Sequence, residues 1–65
     1  MLIPKHGKYM LPTILGGRPM FWANVETLGG RTLWYSEVLH PTAERAAAAA
    51  RRAVFELEAT ARRLG

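Results

Sequence analysis

From Thr42 to Leu64 the chain contains neither glycine nor proline, and apolar residues recur at Ala43, Ala47, Ala50, Val54, Leu57, Ala61 and Leu64. Steps of four and three put these positions on one stripe of a helix. Nine alanines between Thr42 and Leu64 add the strongest helix propensity of any residue. Thr42 suits the N-cap, and Glu44 lies in the first turn, where the helix dipole favours negative charge. Arg62 and Arg63 suit the last turn, and Gly65 suits the C-cap. The pattern predicts one helix over Thr42–Leu64, with Ala47 and Ala50 open to close approach.

Upstream the period changes from helical to alternating. Met20–Thr27 and Arg31–Leu39 are rich in aromatic and β-branched residues and flank Leu28-Gly29-Gly30, which predicts a hairpin. With Gly29 and Gly30 as a two-residue turn, Val25 faces Trp34, Ala23 faces Ser36 and Phe21 faces Val38. That face is apolar and belongs against the helix. The other face carries Trp22, Asn24, Glu26, Leu33, Tyr35 and Glu37. A register slip of one residue would mix the two sets. Tyr9–Leu15 reads as a third strand, on an edge because Pro12 lacks an amide hydrogen, with Gly16-Gly17 turning into the next strand. Met1–Lys8 reads as an N-terminal arm. The expected fold class is α+β: a two- or three-stranded antiparallel meander packed on one long C-terminal helix, in a single domain spanning residues 1–65. A helix of that length spans ~33 Å against ~23 Å for seven-residue strands, so its last two turns should overhang the sheet.

Sixty-five residues make at most one domain, and a chain this short buries only about 60% of its unfolded surface. There is no cysteine, so neither a disulfide nor a thiolate metal site contributes. No apolar run is long enough to span a membrane, and residues 1–8 lack the apolar centre of a secretory signal, so a cytoplasmic location is expected. The net charge of +4 permits an acidic partner without selecting one.

Candidate chemistry is sparse. His6 and His40 have no neighbouring ligands to make a metal site. His40, before Pro41 and Thr42, reads as a residue of the strand-to-helix corner. Ser36 sits in no nucleophile motif. Glu26 and Glu37 are not opposite one another in the expected register. Neither a catalytic residue, a metal ligand nor a cofactor is expected, and the chain reads as a non-enzymatic binding module. The outward face remains: Trp22 and Tyr35, with Leu33 and Asn24 beside them, form an aromatic cluster of the kind that anchors partners.

The segment Phe21–Gly65 resembles the Apetala/ethylene-response-factor DNA-binding domain. The likeness is carried by Phe21-Trp22-Ala23-Asn24-Val25-Glu26, by Gly30-Arg31-Thr32-Leu33-Trp34, and by Thr42-Ala43-Glu44-Arg45-Ala46-Ala47 opening an alanine-rich helix. The arm-binding domain of phage integrases is similar in layout. The resemblance implies a three-stranded antiparallel sheet on one helix, with the outer sheet face in the major groove of double-stranded DNA. It implies contacts from arginines of the first two strands with a tryptophan alongside; Trp22 matches, but Asn24 and Glu26 follow it, and Arg18 and Arg31, the candidate phosphate contacts, sit only at strand ends. The expected first strand, Tyr9–Leu15, holds no basic residue, and the six outward residues of the hairpin carry two acids and no base. The sequence therefore favours docking on a protein or nucleoprotein complex, with nucleic acid as the alternative partner. In size and style the chain resembles small accessory proteins of phages and mobile elements, including anti-CRISPR inhibitors of host defence complexes. A homodimer through the outer face or the overhanging helix is the remaining expectation.

Overall fold

In the computed structural model, which describes residues 1–10 and 17–64, the chain forms three strands and a helix. Strand β1 spans Leu2–Met10, β2 Pro19–Thr27 and β3 Thr32–Tyr35, and helix α1 spans Ala43–Leu64. The strands form one antiparallel sheet in the order β1-β2-β3, and α1 covers one side of it, so the fold is α+β.

The N-terminal residues are not an arm. Leu2–Met10 pairs along its whole length with β2, from Leu2 opposite Thr27 to Met10 opposite Pro19. Pro4, which has no amide hydrogen to donate, is accommodated because β1 is an edge strand. The expected strand over Tyr9–Leu15 overlaps β1 only at Tyr9 and Met10. Its remainder, with Pro12 and the first glycine of the expected Gly16-Gly17 turn, lies outside the described residues, as does the expected cap at Gly65.

The hairpin reaches the expected core register by a different route. Its loop has three residues, not two: the Thr27 amide donates to Arg31 O at 2.8 Å, and the Gly30 amide donates to Thr27 O at 2.9 Å. Gly30 has φ of 91°, the left-handed conformation that this kind of loop requires in its last position. The Arg31 amide also donates to Thr27 Oγ1 at 3.2 Å. This loop shifts the pairing by one residue, so Glu26 faces Thr32 instead of Leu33. An irregularity at Leu33 then shifts it back, and Val25 faces Trp34 as the hydrophobic pattern requires. The Ser36 amide donates to Ala23 O at 2.9 Å, continuing that register.

Beyond Ser36 the expected strand fails. Glu37 and Val38 bend away, and the chain returns at His40, which exchanges two backbone hydrogen bonds of 2.8 Å with Phe21. Phe21 therefore pairs with His40, not Val38, and Val38 is 65% exposed instead of in the core. The detour delivers Pro41 and Thr42 to the start of α1. There the Arg45 amide donates to Thr42 Oγ1 at 3.1 Å, the side-chain cap expected of Thr42.

The core is small and built from small residues. Ala23 of β2 and Ala46 and Ala50 of α1 form a buried cluster with Phe21, Trp34 and Ala49 packed against it, and Val25 and Ala53 are buried as well. Alanine on the helix lets its backbone come close to the sheet, and the bulk comes from Val25, Phe21 and Trp34. The buried stripe is rotated slightly from the expected one. Ala46 and Ala53 replace Ala47 and Val54 as its deepest members, while Ala61 and Leu64 are exposed. Burial ends in the middle of α1, and residues 60–64 are all exposed.

Candidate functional site: the outer sheet face

Alternation along the three strands divides the sheet into two faces. Phe21, Ala23, Val25 and Trp34 point to the helix. Trp22, Asn24 and Glu26 of β2 and Tyr35 of β3 share the opposite face, joined by Ile3, Lys5, Gly7 and Tyr9 from β1. Among the described residues no element covers this face. Tyr35 is 67% exposed, Tyr9 49%, Leu33 43% and Trp22 37%.

Trp22 and Glu26 of β2 are positioned by β1. Gly7 lies opposite Trp22, and the indole edge Nε1–Cε2–Cζ2 occupies the space where a side chain on residue 7 would begin. The ring thus lies across the neighbouring strand, an aromatic filling the gap left by an edge glycine. Glu26 is held at both oxygens. Lys5 Nζ lies 3.1 Å from Oε1, and Asn24 Nδ2 donates to Oε2 at 3.4 Å. The Asn24 Oδ1 atom is buried without a hydrogen-bond partner. Asn24 is therefore tied into the sheet surface instead of reaching outward.

This arrangement changes the charge of the face. Lys5 brings a base to it and pairs with Glu26, while Glu37 leaves the sheet at the bend. Of the two acids expected from the hairpin only Glu26 stays on the face, and the base comes from β1, outside the hairpin. The first strand is also not devoid of basic residues, since Lys5 and Lys8 both belong to β1. Arg18 and Arg31 sit where they were expected, just before β2 and β3 at opposite ends of the sheet, and both are exposed. The sequence reading missed Lys5, Gly7 and Tyr9 as members of this face. The signal that could have found them was Trp22, a large outward ring that needs a small residue across the strand.

A shallow open groove of ≈ 700 Å³ runs along the unpaired edge of β3, lined by Thr32, Leu33, Trp34, Tyr35, Ser36 and Glu37. Ser36 Oγ–H donates to Val38 O at 2.9 Å and lies 3.0 Å from His40 Nε2. These contacts tie together the corner that leads into α1. Among the described residues, no group of three or more His, Cys, Asp or Glu side chains is placed to hold a metal ion. No helix there is long and apolar enough to cross a membrane.

No family model, curated protein or solved structure matches this chain.

Proposed function

We propose that this chain is a binding module that acts through its outer sheet face, docking on a protein or nucleoprotein complex. The observation that supports the reading is the exposed surface formed by Tyr9, Trp22, Leu33 and Tyr35, one or two side chains from each strand, on the face turned away from the helix. On so small a domain a contiguous aromatic surface of this kind marks an interaction site. Double-stranded DNA in contact with the same face is the second reading. Lys5 favours it by neutralising the one carboxylate that would oppose phosphate.

Photo-crosslinking tests the face. p-Benzoylphenylalanine replaces Tyr35 in one variant and Phe55 in another; Phe55 is 68% exposed on the helix. In cells that express the protein natively, the residue at position 35 should form a discrete adduct and the one at position 55 should not. Adducts from position 55 alone would place the function on the helix and end this reading.

A further inference from the structure

The three outward aromatic side chains form a line. Tyr9 of β1 faces Met20, Trp22 lies two residues further along β2, and Tyr35 of β3 faces Asn24, two residues further again. Each step therefore crosses one strand and advances two residues, the diagonal neighbour relation of an antiparallel sheet, about 7–8 Å per step. From this geometry we propose that the outer face is a stacking platform for single-stranded nucleic acid, with successive unpaired bases on Tyr9, Trp22 and Tyr35. The inference rests on the outer face being the docking surface and names its partner.

Three features favour a single strand over a duplex. The first is spacing. Neighbouring bases of a duplex strand are about 3.4 Å apart and stacked on each other, so their faces are closed to the protein. Residues placed about 7–8 Å apart along the diagonal suit bases that have been splayed out, which is how aromatic residues on a sheet engage single strands. The second is the missing base reader. Duplex recognition needs side chains that reach base edges, commonly arginine, asparagine or glutamine. No arginine lies within the strands, and Asn24 is bonded to Glu26 with its Oδ1 buried. The third is charge. On the outer face Lys5 already neutralises Glu26, which leaves Arg18 and Arg31 at the strand ends against Glu37 in the groove beside β3. Arg18 precedes β2 at the end of the sheet where Tyr9 lies, and Arg31 precedes β3 at the other end. A backbone following the aromatic line thus starts beside Arg18 and has a second cation, Arg31, at the opposite end of β3 from Tyr35. Beside Tyr35 and Leu33 it passes onto the groove along the β3 edge.

Fluorescence anisotropy with labelled dodecathymidylate, dodecauridylate and a duplex of the same length tests the proposal. Both single strands should bind more tightly than the duplex. Neutralising about two phosphates should give a slope near −1.4 in log Kobs against log[salt]. Tyr9→Leu and Tyr35→Leu should each weaken binding by ~5-fold or more, while Tyr9→Phe and Tyr35→Phe should bind as the parent, because the phenyl ring keeps the stacking surface. Thermal melts followed by circular dichroism establish that each variant is folded, as expected for exposed positions. Tighter duplex binding, equal binding by the leucine variants, or no binding to either strand would overturn the inference. The crosslinking experiment separates that failure from failure of the face itself. An adduct at position 35 that protease removes and nuclease does not would leave the docking face standing with a protein as its partner. Adducts from position 55 alone would remove both.

Discussion

The two faces of β2 are held in opposite ways. The helix-side residues Phe21 and Ala23 pack on side chains distant in sequence, chiefly Ala46, Ala49 and Ala50 of α1, and Ala23 and Val25 are buried. The outward residues Trp22, Asn24 and Glu26 are held within the sheet by Gly7, by each other and by Lys5. The first face derives its stability from excluding water. The second uses contacts across the sheet surface that order the side chains and leave them partly exposed. One strand therefore serves as both the floor of the core and a preorganised external surface, and the two roles should respond differently to mutation.

The largest effect is expected at the inner face. Trp34→Ala removes most of the bulk that packs on Ala23, Ala46 and Ala50 and should cost ~3 kcal/mol or more, a large part of the stability of a domain this size. Chemical denaturation checks it, and parental stability would show that the ring does not contribute to the core. Next comes the close approach of the helix. Ala50 is fully buried, so Ala50→Leu should destabilise by ~1–3 kcal/mol through overpacking. A neutral outcome in the same assay would mean that α1 can lift from the sheet without loss.

The smallest effect on stability, and the sharpest test of the contrast, is Gly7→Ala. Its methyl group would overlap the Trp22 indole, which must swing outward. The expected result is a red-shifted tryptophan emission with a stability loss of about 1 kcal/mol, near the lower end of overpacking costs. An unchanged spectrum would mean that Trp22 does not lie on Gly7.

Most of the fold could be read from the chain because its signals were redundant. The helix had period, propensity and caps in agreement. The hairpin had a hydrophobic pattern that tolerates one register only. That redundancy explains a correct pairing of Val25 with Trp34 from an incorrect turn: burial sets the register, and the loop and the irregularity at Leu33 adjust to it. β1 lacked such redundancy. Pro4, His6 and Gly7 each weaken a strand locally, and His6 and Lys8, which share the helix side with Ala23 and Phe21, are exposed, so the strand shows no alternation of apolar and polar residues. Its order comes from β2, a tertiary effect that a local pattern does not contain. The candidate site was legible in Trp22, Leu33 and Tyr35 for the same reason that the hairpin was. Its charge balance and its third aromatic residue were hidden with β1.

The long helix, whose residues 60–64 lie outside the core, has a hydrodynamic consequence. With a radius of gyration of 13.7 Å and principal extents of 50 × 21 × 16 Å, the molecule is a short rod. A globule of 65 residues would have a radius of gyration of about 11 Å. Such a rod experiences more friction than a sphere of equal mass. It should elute early from a sizing column and tumble anisotropically in solution, so a monomer could pass for a dimer by elution volume. Light scattering, which weighs the particle independently of its shape, is the measurement that assigns its subunit number.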